Sequence, residues 1–116
     1  MNPYEALANG IITQAADDYR RAVKFLKKHQ HTEELEADVA AQLADKKKRR
    51  MERKKQKLPQ EREKKSKEER LLDSIRSNEQ MAKETESFFH SEWFSQLTAI
   101  DGHWLFERIK KEMEDK

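Results

Sequence analysis

The chain has 116 residues, of which 34% are hydrophobic and 41% charged, with two glycines, two prolines and no cysteine. This composition excludes a disulfide framework and any thiolate metal site or nucleophile, and its wealth of Ala, Leu, Glu, Lys, Gln and Arg predicts an all-α fold. The net charge of +2 conceals an asymmetry, because residues 46–70 hold fourteen Lys or Arg against five Glu, net +9, and leave −7 on the remaining ninety-one.

Asn2-Pro3 opens the first predicted helix. Asn accepts a hydrogen bond from a free amide at the N-cap, and Pro fits the first helical position, where its missing N–H costs nothing. Tyr4, Ala8, Ile11, Ala15, Tyr19, Ala22 and Leu26 then recur at steps of three or four, which predicts an amphipathic helix over about 3–29. Gly10 interrupts it at about 1 kcal/mol relative to Ala, so either the helix tolerates it or another helix approaches closely there. Thr32 is a second capping residue, and Leu35, Val39 and Leu43 follow at steps of four.

Beyond Leu43 the apolar pattern almost stops: between Asp45 and Arg70 only Met51, Leu58 and Pro59 are not polar. The expectation is a solvated helix supported by Glu–Lys and Glu–Arg pairs four apart, broken at Pro59; a segment disordered in isolation is the alternative. A chain reversal near Leu58-Pro59 would set Leu43 against Leu71, Leu72 and Ile75, and Val39 and Leu35 against the region running to Met81. The product is a small helical domain with a long, highly charged helical hairpin. One domain is expected over 1–116, with 3–30 and 71–113 as the helical core and 33–70 as the charged extension, basic at 46–57.

The helical period returns at Leu71, with Leu72, Ile75, Ala82 and Phe89 on one face. Ser91 is a cap for a short helix from Glu92 to about Thr98, and Asp101 for a last one from Gly102 to about Met113, in which Trp104, Leu105 and Ile109 are expected to bury. Six of the nine aromatic residues fall between Glu86 and Ile109. At about 25 cal/mol per Å² of buried apolar surface they are the main source of stability in so polar a chain. The expected core is Tyr19, Phe88, Phe89, Trp93, Phe94 and Trp104, with one or two of the aromatics left exposed as interface anchors.

The strongest binding signal is the basic run Lys46, Lys47, Lys48, Arg49, Arg50, Arg53, Lys54, Lys55 and Lys57, which suits nucleic-acid phosphates or an acidic protein face. It has no aromatic residue to stack bases and no Asn or Gln array to read them, so any nucleic-acid contact is expected at the backbone, without sequence preference. A solvated helix with no ligand is the competing reading. His29, His31, His90 and His103 form no i, i+4 pair, so no metal site is expected, nor any cofactor. Carboxylate neighbours such as Asp17-Asp18 diverge on a helix, and no Gly-x-Ser-x-Gly elbow is present, so no catalytic residues are assigned and the chain is not expected to be an enzyme. No apolar run approaches the ~20 residues that span a bilayer, and the N-terminus lacks the features of a signal peptide, which points to the cytoplasm.

Two stretches, Ala15-Ala-Asp-Asp-Tyr-Arg-Arg-Ala-Val-Lys24 and Phe88-Phe-His-Ser-Glu-Trp-Phe-Ser-Gln-Leu-Thr-Ala-Ile-Asp-Gly-His-Trp-Leu-Phe-Glu-Arg-Ile109, resemble a family of small phage and prophage proteins of Gram-positive bacteria. The likeness covers about 3–28 and 84–111, and residues 31–80 look like an elaboration between the two. The resemblance implies a phage accessory protein of the host bacterial cytoplasm that binds a host protein or nucleoprotein. Its sharpest form is an anti-CRISPR inhibitor that sets its basic tip against the guide RNA or target DNA of a Cas effector. A nucleic-acid-binding or regulatory module and a helical scaffold or oligomerisation protein are the other two readings.

Overall fold

The computed structural model describes residues 2–60 and 62–115. It contains five helices and, among the described residues, no strand: α1 (Pro3–Lys28), α2 (Glu33–Lys55), α3 (Lys67–Phe89), α4 (Glu92–Leu97) and α5 (Gly102–Glu114). The chain divides into two compact units, Met1–His29 with Ser77–Lys116, and Gln30–Arg76, and the boundary falls inside α3. Residues 33–70, expected to form the charged extension, lie within the second of these units.

Local chemistry sets the helix ends. Asn2 Oδ1 accepts from the Glu5 amide at 2.7 Å, Thr32 Oγ1 from Leu35 at 3.1 Å, Ser91 Oγ from Phe94 at 3.2 Å, and Asp101 Oδ1 from His103 and Trp104 at 3.0 and 3.4 Å. Each bond satisfies an amide that has no partner within its helix.

In the first unit, Ala16 and Tyr19 of α1 pack with Phe89 of α3, Phe94 of α4 and Phe106, Ile109 and Met113 of α5, and Phe88 lies half-buried against them. Phe88, Phe89 and Phe94 meet with ring centroids 5.3–5.5 Å apart, and Tyr19 meets Phe106 edge-on at 4.9 Å. Tyr19, Phe89 and Phe94 are therefore core residues, but Trp93 and Trp104 are 54% and 52% exposed. The reason is rotational. In the six-residue α4 only Phe94 points inward, and its neighbour Trp93 lies about 100° around the helix. In α5 the inward line is Phe106, Ile109 and Met113, which leaves Trp104 outside, where its ring lies 5.0 Å from the Arg108 guanidinium.

The corner between α3 and α5 depends on Gly102. A methyl group there would overlap the Phe89 carbonyl oxygen and approach Cδ1 and Cε1 of Phe94 to 2.8 and 3.0 Å. Gly10 differs, since a Cβ there would meet nothing within 4 Å, so no close contact at that position calls for a glycine.

The second unit is the hairpin of α2 and the first part of α3. Its apolar centre is small: Val39, Leu72 and Ile75 are buried. Leu43, expected to face Leu71–Ile75, is instead 50% exposed, and α3 begins four residues before Leu71. Both departures follow from the position of the reversal. It lies at Gln56-Lys57, where Lys57 takes φ 56°, and not at Leu58-Pro59. The displaced register passes Leu43 over in favour of Gln42 and Lys46.

Candidate binding face on the hairpin tip

α2 ends in a Schellman turn. The Leu58 amide donates to Arg53 O at 2.8 Å and the Lys57 amide to Lys54 O at 3.2 Å, with Pro59 next. Glycine is the usual occupant of the left-handed position in this turn, and any other L residue there costs roughly 1–2 kcal/mol. The occupant here is a lysine.

After the turn the chain returns along α2, and one line of α2 side chains is used to hold it. Val39, Gln42, Lys46, Arg49 and Arg53 follow the 3–4 spacing of a coiled-coil seam, with charge in place of leucine. Gln42 Oε1 accepts a short bond from Ser66 Oγ, and Ser66 Oγ in turn caps α3 by accepting from the Glu69 amide at 3.1 Å. Lys46 Nζ lies 2.7 Å from Glu69 Oε1, with side chains only 15% and 6% exposed. Glu69 Oε1 makes no aligned hydrogen bond, so this is a buried ion pair held by charge and proximity. Arg49 grips Glu63 in a bidentate pair at 2.9 and 3.1 Å and reaches Asp45 at 3.0 Å. Arg53 donates to Pro59 O at 3.0 Å.

The charges respond to these partners. The hydrogen bond from Arg49 holds the Glu63 carboxyl below the usual range, and the same bond raises the Arg49 guanidinium. At the base of the hairpin, Glu36 is lowered by its hydrogen bond with His31 and then by Arg76, at 2.6 and 2.9 Å.

The opposite face of the tip carries the remaining cations. Lys47, Arg50, Met51 and Lys54 lie at i, i+3, i+4 and i+7, and with Gln60 and Arg62 of the returning segment they line a shallow trough of about 500 Å³ that holds no carboxylate among the described residues. Met51, 55% exposed, is the apolar member of this lining. Lys47, Lys48, Arg50, Lys54, Lys55 and Lys57 are exposed, and no ion pair engages any of them among the described residues. The nine cations of the run are therefore two populations. Lys46, Arg49 and Arg53 build the hairpin, and the other six face solvent. Arg62, from outside the run, joins the second group.

Two signals for this division are present in the sequence. Ser66-Lys-Glu-Glu69 is a capping-box pattern, Ser followed three residues later by Glu, that marks the start of α3. The 3–4 spacing of Lys46, Arg49 and Arg53 marks the inward seam.

His90 and His103 are exposed with ring centroids 5.0 Å apart, and the His90 ring meets the buried Phe106 edge-on at 5.7 Å. Among the described residues no group of three or more His, Asp or Glu is placed to hold a metal, and no helix is long and apolar enough to cross a membrane. Comparison with protein-family models, curated proteins and solved structures finds no match to this chain.

Proposed function

We propose that this chain is a non-enzymatic binding protein that sets the solvent face of its hairpin tip against the phosphate backbone of a host nucleoprotein and thereby inhibits it. The observation that carries the reading is the division of cations: Lys47, Arg50, Lys54 and Arg62 line one trough and, among the described residues, none of them is held in an ion pair by the fold. Lys57 supports it, because a position where glycine is cheaper carries a charge on the same tip. The likeness of residues 3–28 and 84–111 to phage accessory proteins supplies the setting, the bacterial cytoplasm during infection. A guide-RNA-loaded Cas effector is the sharpest target, since it holds its heteroduplex and displaced strand largely through backbone contacts.

The test is target cleavage by a set of Cas effectors, each with its guide RNA, in the presence of the wild-type chain or of a variant with Lys47, Arg50, Lys54 and Arg62 changed to Glu. Lys46 and Arg49 stay native, so that the hairpin is retained. Inhibition by the wild type and its loss in the variant are expected, with equal helical signal from both. Full cleavage by every effector at a large excess of protein would refute the Cas target.

The same trough favours a second reading, a module that binds duplex directly. Four phosphate contacts predict that log K falls against log salt with a slope of about −3.6, at ~0.9 per phosphate. That slope in the absence of any effector would support the module over the inhibitor.

A further inference from the structure

The first unit carries a second surface, chemically opposite to the tip. α1 turns Ala16 and Tyr19 to the core, but Leu7 on another face is 64% exposed, and it lines a furrow with Ile11, Met81, Phe88 and Trp93. In a chain with only 34% hydrophobic residues, an open leucine, methionine and tryptophan on one concave surface are a substantial exposed cost. The polar residues lining the furrow add no requirement of their own on its floor, since the Thr85 hydroxyl already donates to backbone carbonyls of its own helix.

Gly10 lies in this furrow. A glycine within a helix costs about 1 kcal/mol, and nothing in the fold recovers it, because a Cβ there would meet no atom within 4 Å. A bare backbone at that point is useful when another backbone comes close. The furrow is lined along α1 from Ala6 to Asp18, a rise of about 18 Å, which matches three to four turns of a docked helix.

Charge selects the kind of helix. Among the described residues the lining includes two carboxylates, Asp18 and Glu84, and no Lys or Arg. Asp18 accepts from Gln14 at 2.8 Å and has Arg21 at 3.5 Å, while Glu84 accepts from Gln80 at 3.1 Å. A two-fold copy of this chain would bring the acidic rim against itself, and the chain's own basic helix face offers only Met51 to cover the floor. Nucleic acid is repelled by the same carboxylates. We infer that the furrow between α1 and α3 is a docking site for an amphipathic helix of a partner protein, with an apolar stripe on the floor and Lys or Arg on the flank beside Asp18 and Glu84. This site is independent of the hairpin tip, so either can fail alone.

Trp93 is a reporter built into the site. In the full chain with Trp104→Phe it is the single tryptophan, since the chain has two. The probes are two 18-residue peptides with leucine at helical spacing, one with lysine and one with glutamate at all other positions. The expected result is a saturable blue shift of Trp93 emission at one peptide per chain with the lysine peptide, at least tenfold tighter than with the glutamate peptide. Gly10→Leu and Ile11→Glu should each weaken the lysine peptide at least tenfold without loss of helical signal. Equal or tighter binding of the glutamate peptide would overturn the proposal. So would unchanged affinity in Gly10→Leu, or a blue shift that follows protein concentration alone with sedimentation as a dimer, which would give the furrow to a second copy.

Discussion

Replacing each of the two glycines by alanine should move stability in opposite directions. At Gly10 the methyl group meets open space on a helix interior, so the change removes backbone freedom from the unfolded chain and stabilises the fold by about 0.5–1 kcal/mol. At Gly102 the intrinsic helix preference has the same sign but loses to sterics. The new Cβ overlaps the Phe89 carbonyl oxygen, a backbone atom that cannot rotate away, and presses on Phe94, which is buried and wedged against Phe88 and Phe89. Overpacking of this kind costs about 1–3 kcal/mol, occasionally more. The two variants should therefore differ by roughly 2–4 kcal/mol. At about 4 °C per kcal/mol for a chain of this size, that is a separation in Tm of roughly 8 °C or more. Thermal melts followed by far-UV circular dichroism read it directly. A Gly102→Ala variant that melts at or above the wild-type temperature would show that the corner is not closed as described.

Four further outcomes follow from the same contacts. Lys46→Ala strands Glu69 in a buried site and should destabilise the hairpin by about 3–5 kcal/mol, whereas Lys47→Ala should stay within about 0.5 kcal/mol, as measured by amide exchange in residues 33–55. Lys57→Gly relieves the left-handed lysine and should stabilise the tip by up to about 1 kcal/mol while weakening the phosphate binding proposed for it, read by urea titration and a binding assay. Phe94→Ala should cost about 3–5 kcal/mol in chemical denaturation and Trp93→Ala much less, because the first is 1% exposed and the second is half exposed. Glu36 and Glu63 have lowered pKa values in the folded chain, so their contribution is complete above the ordinary value of 4.5 and disappears as pH falls below it. A pH titration should show the hairpin signals loosening in that acid window, and Arg49→Gln should remove the Glu63 share.

Four of the five helix starts were legible because each is a local device; the start of α3, capped by Ser66, was passed over in favour of Leu71. Asn2-Pro3, Thr32, Ser91 and Asp101 act on amides two or three residues away, and all four sit where their chemistry predicts. The stop of α2 was not legible, since the usual glycine is replaced by Lys57 and Pro59 draws the eye two residues too far. The aromatic core was half legible. Size marks a residue as a candidate for burial, but which face of α4 or α5 turns inward depends on the corner at Gly102, and that rotation separates Phe94 from Trp93 and Phe106 from Trp104. The basic run is visible in composition at once, yet its division into seam and surface depends on partners at Glu63 and Glu69 across the hairpin. The acids needed were in the sequence; the register that pairs them was set by the turn.

A hairpin closed by charge past Val39, Leu72 and Ile75 has an unusual thermal character. Heat capacity of unfolding comes mainly from newly hydrated apolar surface, and polar exposure subtracts from it. The tip should therefore open with almost no heat-capacity change, giving it a nearly flat stability curve, while the aromatic unit has the ordinary curved one. Its ion pairs also lose less on heating than they would on dilution into salt, because the penalty for desolvating charge falls as temperature rises. The hairpin tip should hold its shape across a wide range of growth temperatures and respond chiefly to ionic strength.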